Sequence, residues 1–219
     1  MVNQVVDDKA VGFDSKVTRN LSYGLFVITT NQDGKDNGCI SNTLIQPASE
    51  PLSISVAINK ANLTCEMIKN TKRFTASIIS EDASFDLFKH FGFQSGRDVN
   101  KFADFTDCKR TSNGTMAITK GTNSYISVTV DQIVDLGSHL LFIGTPTESE
   151  ILNKERSATY AYYFENIKPK PEKVGTTPDG KTIWRCTICG YEYVGEELPE
   201  DFICPICKHP ASDFEKVTG

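Results

Sequence analysis

The sequence predicts a mainly β chain: a barrel or sandwich with helical insertions, followed by a small tail organised around a metal. Three observations carry this expectation. Six segments of residues 1–167 read as strands, against two that read as helices. A Pro- and Lys-rich stretch, residues 168–178, then breaks the apolar periodicity. Beyond it, four of the seven cysteines gather as two C-x-x-C pairs.

Residues 23–30, YGLFVITT, are rich in aromatic and β-branched side chains and run into the turn signal Asn31-Gln32-Asp33-Gly34. A second strand is expected over 38–46, after Asp36-Asn37-Gly38. Residues 52–58 alternate apolar and small polar side chains as far as Ala57, and 74–79 and 125–134 alternate similarly. Residues 140–144 form a short apolar run. Asn62 is placed to cap a helix ending near Asn70, with Glu66 in its first turns. Ser80-Glu81-Asp82 is placed to cap another, carrying Phe85, Leu87, Phe88 and Phe91 on an apolar face.

With 219 residues, 39% hydrophobic and 23% charged, the chain can bury a core and does not read as disordered. It contains no run of eighteen apolar residues, so no membrane span is expected. Residues 1–16 carry Asp7 and Asp8 and no apolar stretch, so no secretory leader is expected and the cytoplasm is the expected compartment. A net charge of −5 excludes a generally basic nucleic-acid binder. The charge is uneven: 19 basic against 20 acidic residues in 1–178, but 4 against 8 in 179–219, so the tail is acidic.

The expected organisation is a large domain over 1–167, a linker over 168–178 and a small domain over 179–219. In the last, Cys186 and Cys189 precede Cys204 and Cys207 with fourteen residues between the pairs, the spacing of a four-thiolate metal site. An odd cysteine total and the paired spacing count against a disulfide framework. Each pair predicts a tight knuckle, with Gly190 free to take positive φ where the first one turns. About forty residues build little core, so metal binding is expected to supply part of the folding free energy. Four thiolates suit zinc or iron. Trp184, Tyr191, Tyr193, Phe202 and Phe214 are candidates for an apolar sheath.

C-x-x-C-G-Y-x-Y, C-P-x-C and the closing Ser212-Asp213-Phe214-Glu215-Lys216-Val217 make the tail similar to rubredoxin. The short stretch between the pairs resembles most the rubredoxin-type domain of rubrerythrins. The resemblance implies a single iron held by Cys186, Cys189, Cys204 and Cys207, and a one-electron carrier.

The large domain has no G-x-G-x-x-G, P-loop or H-E-x-x-H. It does have a strand of small polar residues, Asn37-Gly38-Cys39-Ile40-Ser41-Asn42-Thr43, with Cys39, Ser41 and Thr43 on one face. Such a strand suits either the polar edge of a ligand or a solvated sheet edge. Asn59 and Lys60 end the next strand beside a helix start at Asn62 and Thr64, a place that favours an anion. Arg97 could equally pair with Asp98 or Glu81, Lys101 could be solvated, and His139 could be a core histidine.

The segments SYGLFVITT, NGCISNT, SEPLSISVAINKAN, FGFQSGRDVNKF and DLGSHLLFIG, in that order, resemble the flavin reductase-like FMN-binding family across nearly all of residues 10–167. The resemblance implies a Greek-key split barrel, a homodimer, and FMN held beside the barrel. It further implies that Asn37, Cys39, Ile40, Ser41, Asn42 and Thr43 line the flavin, with Pro47 and Ser49 continuing the wall. Asn59, Lys60 and Thr64 would hold the ribityl and phosphate end. Arg97 and Lys101 would supply positive charge, and His139 would stand near the nicotinamide or flavin face as the catalytic candidate. Tyr163 or Tyr162 would stack from the C-terminal segment.

Taken together, the chain resembles a flavin reductase–rubredoxin fusion. That implies an enzyme passing electrons from NAD(P)H through FMN to iron, and on to an acceptor such as a flavodiiron oxygen or nitric oxide reductase. Two alternatives stay open: a flavin-binding module with a structural zinc ribbon, and a free flavin reductase.

Overall fold

The structure is a computed structural model describing residues 15–169, 181–187, 190–205 and 210–217. Residues 170–178 of the expected linker lie outside the described residues, as do Cys189 and Cys207.

Strand β1 (Phe26–Gln32) is buried along almost its whole length, as expected of a central strand. Asp33 and Gly34, at φ 52° and 80°, close a two-residue hairpin into β2 (Lys35–Ser41). The second strand thus resumes three residues earlier than the sequence implies. Asp36 and Asn37 are not turn residues; they ladder against Asn31 and Thr30. The Asp36 carboxylate accepts from Asn31 Nδ2 at 2.8 Å and, bidentately, from Arg110 at 2.9 and 2.7 Å.

The expected single strand over 38–46 is two strands. After β2 the chain crosses to β3 (Ile45–Ser49), and β2 and β3 form opposite edges of one seven-stranded sheet. With β4 (Leu52–Asn59), β5 (Arg73–Ile79), β8 (Thr122–Asp135) and β9 (His139–Ile151), the order is β2-β1-β5-β8-β9-β4-β3. Each ladder in it is antiparallel. Thr43, between the edges, bridges back to β4: its hydroxyl donates to Ala57 O at 2.7 Å and accepts from Ala57 N at 3.2 Å. One side chain thereby replaces a missing ladder rung at the barrel's seam. Thr43→Val keeps the shape and strands both Ala57 groups. Urea unfolding is expected to register a loss of about 1–3 kcal/mol; an unchanged midpoint would remove Thr43 from the seam.

The short apolar run expected at 140–144 is the start of the thirteen-residue β9. Its second half is polar and exposed, so it lacks an apolar signal, yet it ladders with β8 as far as Ile151. Two register shifts in this pair, at Ser127/Val128 and Val130/Gln132, curl the sheet. A small hairpin, β6 (Cys108–Arg110) and β7 (Met116–Ile118), had no clear sequence signal.

Helix α1 (Leu63–Thr71) starts at Asn62, as expected, although the Asn62 side chain makes no capping bond. Thr64, Cys65, Met67 and Ile68 are its buried face. Helix α2 (Phe85–Gly92) starts at Ser84 rather than at Ser80-Glu81-Asp82. Ser80 still belongs to the sheet region, donating its N–H to Gly121 O at 3.1 Å and bridging Ser157, so the helix begins only once the chain has left it. Ile28, Val56, Phe74, Val128 and Phe142 fill the barrel. A second apolar cluster, with Leu25, Val27, Ile79, Phe88 and Phe91, lies under α2. In the small domain β10 (Ile183–Cys186) pairs between β11 (Glu192–Val194) and β12 (Phe214–Lys216). Among the described residues no helix is long and apolar enough to cross a membrane.

Candidate active site and metal centre

A cleft of about 920 Å³ opens between β2, the start of α1, the segment 93–101 after α2, and the Ser138–His139 corner. Its size lies toward the top of the range for small-molecule and cofactor sites, roughly 300–1,000 Å³. Of the fifteen non-metal residues singled out from the sequence, with Tyr163 counted and its alternative Tyr162 set aside because it does not line the cleft, twelve line it: Asn37, Cys39, Ile40, Ser41, Asn42 and Thr43 from β2 and its exit, with Asn59, Thr64, Arg97, Lys101, His139 and Tyr163. The other three stand elsewhere. Pro47 and Ser49 are on the exposed edge strand β3. The Lys60 ammonium turns to Asp135 at 2.5 Å.

The floor is polar and held from below. Asn37, 2% exposed, donates from its amide to Thr64 Oγ1 at 3.0 Å, tying β2 to the first turn of α1. Lys101, 4% exposed, donates from Nζ to Gly38 O and Phe91 O, both at 2.8 Å. No carboxylate among the described residues pairs with it. Burial lowers the Lys101 pKa, while neighbouring Cys39 acts in the opposite sense. Burial likewise raises the Cys39 thiol, opposed by Lys101 and by a hydrogen bond from Thr64. Cys39 is therefore a protonated packing residue, not a poised nucleophile. Lys101 fixes the segment 93–101 against β2 and leaves a positive charge beneath the cleft.

Gly96 brings that segment close against β2. A Cβ on it would lie 2.1 Å from Asn37 Oδ1. Beside it Arg97 is half exposed and its guanidinium pairs with Glu66 of α1 at 2.8 Å, not with Asp98 or Glu81. Arg97, Thr64 and the α1 N-terminus thus share one end of the cleft, the donor set an anion requires. Phe88, Phe91 and Tyr163 supply an apolar wall. The phenylalanines of α2 therefore serve as core face and cleft wall together. A polar floor, an uncompensated buried cation and an aromatic wall fit a flavin with its phosphate.

His139 begins β9 opposite Asn59, with Ser138 Oγ 2.8 Å from its Nδ1. Partial burial lowers its pKa from the ordinary 6.5. Between the lowered folded value and 6.5 the unfolded chain binds more protons. The stability associated with neutral His139 is thus present above pH 6.5 and is lost as pH falls through that window. An NMR titration is expected to find its midpoint below 6.5, and His139→Gln should remove this part of the pH dependence. A midpoint at or above 6.5 contradicts the assignment.

In the small domain Cys186 and Cys204 are both fully buried and belong to one cluster with Tyr191 and Phe214. Gly190, at φ 81°, donates to Cys186 O at 2.9 Å and turns the first knuckle as expected. Phe202 packs on Tyr193 at 4.9 Å and on Phe214 at 5.3 Å, forming part of the expected sheath. Two thiol side chains converging in an aromatic shell suit a soft metal.

These two modules define an oxidoreductase of the flavin reductase class extended by a rubredoxin-like domain. The chain belongs to the flavin reductase-like family: residues 18–170 match the flavin reductase like domain, and 184–215 match the rubrerythrin, rubredoxin-like domain. It is 34% identical over 229 residues to the high molecular weight rubredoxin of Moorella thermoacetica, across 93% of this chain and all of that one. It is 30% identical over 163 residues to the ferric-chelate reductase (NAD(P)H) of Archaeoglobus fulgidus, across 74% of this chain and 96% of the other. An FMN-binding protein from Thermus thermophilus, solved with bound p-hydroxybenzaldehyde, shares the fold with a TM-score of 0.57 at 19% identity, over 69% of this chain and 82% of that one.

Sequence reasoning missed several residues of the cleft. Ser138 and Tyr160 line it, as do Phe93, Pro205 and Pro210. A Gly-Arg step within a polar segment was the available signal for Gly96. Nothing local marked the two prolines, which come from the small domain.

Proposed function

We propose that this chain is an electron-transfer oxidoreductase of the cytoplasm. In this reading NAD(P)H would be the hydride donor to FMN held in the cleft, Cys186, Cys189, Cys204 and Cys207 would hold an iron that takes electrons one at a time, and a flavodiiron-type oxygen or nitric oxide reductase would be the final acceptor. The observation that carries the reading is the cleft itself, whose polar floor and aromatic wall come from the large domain while Pro205 and Pro210 of the cysteine domain stand on its rim.

Bound FMN would supply the conversion of a two-electron donor into one-electron steps. A hydride carries two electrons and a ferric centre would accept one, so each hydride would support two one-electron reductions, with the acceptor taking one electron between them. The β2 backbone presents donors and acceptors to the polar edge of the ring. Thr64, Arg97 and the α1 N-terminus bind the phosphate, Arg97 exchanging Glu66 for it. Lys101 stabilises negative charge from beneath, and Phe88, Phe91 and Tyr163 exclude water. Neutral His139 stands at the mouth, able to donate or accept one hydrogen bond without adding charge. The acidic tail complements a basic patch on its acceptor. Two copies pair through the barrel, which light scattering at micromolar concentration tests.

Anaerobic stopped-flow mixing with NADH or NADPH tests the relay. Flavin bleaching followed by ferric-thiolate bleaching is the expected result. Deleting residues 168–219 should abolish the second phase and keep the first. An intact chain whose flavin bleaches while its iron stays oxidised overturns the relay. One zinc and no iron per chain, persisting after iron-replete expression, overturns the iron assignment.

A further inference from the structure

Phe93 follows the last turn of α2 and fills its C-cap position, donating its N–H to Lys89 O at 3.1 Å. It stands outside the apolar cluster under α2. Its ring instead packs against the buried pair Cys186 and Cys204, beside Tyr191 and Phe214. The same side chain lines the cleft, and Pro205 and Pro210 of the small domain share that rim. Phe85 meets Phe93 edge-on at 5.6 Å, so the ring's place is set by α2. A second tie lies nearby: the Lys168 ammonium, 5.0 Å from the centre of the Phe164 ring, donates to the carbonyl of Thr187, the residue after Cys186.

We propose that Phe93 is the seat on which the rubredoxin-like domain docks against the large domain of its own chain, holding the cysteine centre at the rim of the cleft. Phe93 is a positioning residue in this role. A large, rigid aromatic ring anchored on a helix end gives a docking contact most of its energy at little cost in side-chain entropy. Covalent connection in one chain keeps the small domain at high effective concentration, and Phe93 selects the docked pose. The docking stands on contacts alone. Its consequence for electron flow rests on the two-centre reading above: with both groups bound, the flavin would give up one electron and a ferric centre held by the cysteines would take it, with no bond formed or broken at the metal. The pose makes that step intramolecular, since tunnelling weakens steeply with separation.

The chain's only tryptophan, Trp184, lies in β10 and reports the tumbling of the small domain. Time-resolved anisotropy of the full chain is expected to show one slow rotation. Phe93→Ala should add a fast component, whereas Phe93→Leu, which keeps apolar bulk, should largely preserve the slow one. Iron reduction, timed from flavin already reduced by light so that no nicotinamide is involved, should slow about tenfold in Phe93→Ala. It should be independent of protein concentration in the parent. Lys168→Gln, outside the cleft, should weaken the same dock in the same direction and guards against a folding defect in the first variant. A fast component already dominant in the parent overturns the proposal, as does a Phe93→Ala chain matching it in anisotropy and in iron reduction. If anisotropy responds to Phe93→Ala but NAD(P)H never bleaches the flavin, the docking holds and the donor assignment fails.

Discussion

Cys204→Ser is expected to cost the small domain its metal and its fold while the large domain keeps its own. Cys204 is fully buried and shares with Cys186 the centre of the only apolar cluster described in that domain. The surrounding sheet has strands of four, three and three residues, too short to hold together by ladder and burial alone. On the proposed metal assignment, binding would contribute directly to folding, as structural zinc does in zinc-finger peptides with about 10–16 kcal/mol of apparent free energy. A hydroxyl is a poor substitute for one thiolate in four, and in this buried shell it gains no water in exchange. Metal per chain should fall below about a tenth of the parent value, and Trp184 emission should shift toward that of a solvated indole. Full metal occupancy with unchanged metal–thiolate absorption in the serine variant would show that Cys204 is not a ligand.

Gly96→Ala should weaken flavin binding more than any other single methyl added around the cleft. The new Cβ would lie 2.1 Å from Asn37 Oδ1, 2.6 Å from its Cγ and 2.8 Å from its Nδ2, so the whole amide is in the way. Asn37 cannot swing aside without giving up Thr64 Oγ1 and leaving a buried amide unsatisfied. The alternative is to lift the segment 93–101, which carries Arg97 at one end of the cleft and Lys101 beneath it. Either adjustment costs about 1–3 kcal/mol, or roughly 5- to 150-fold in flavin affinity if the strain falls on binding. Isothermal titration of flavin-stripped protein measures it, with thermal unfolding alongside. Unchanged affinity and unchanged stability together would mean that the segment does not close on β2.

Much of the strand pattern was legible because a half-buried strand writes a period of two into its own residues. Residues 52–58, 74–79 and 125–134 all returned as strands within a few positions. Asn62 and Gly190 were legible for a similar reason, since a helix start and a knuckle turn depend on one residue's conformation. The errors fell where pairing, not composition, sets the boundary. The outer half of β9 is mostly polar and exists because β8 lies beside it. The cap expected at Ser80 moved to Ser84 because the sheet region claims Ser80. Residues 38–46 read as one strand because nothing local shows that the chain crosses from one sheet edge to the other at Thr43.

Sequence alone determined the two modules, the Pro-rich break between them, the paired cysteines and the polar character of β2, because each is written within a few consecutive residues. Tertiary structure decided which of those polar residues meet. Asn37 reaches Thr64 across 27 positions, Lys101 reaches Gly38 across 63, and Arg97 reaches Glu66 across 31. Lys60 stays outside the cleft although Asn59 and Ala61 on either side of it line it, and Pro47 and Ser49 leave the cleft with β3. Phe93 shows the same division most sharply: as sequence it is one more aromatic after an apolar helix, and only the folded chain sets its ring against Cys186 and Cys204. Such contacts depend on how far the sheet curls and where the small domain rests, and no local pattern of side chains encodes either.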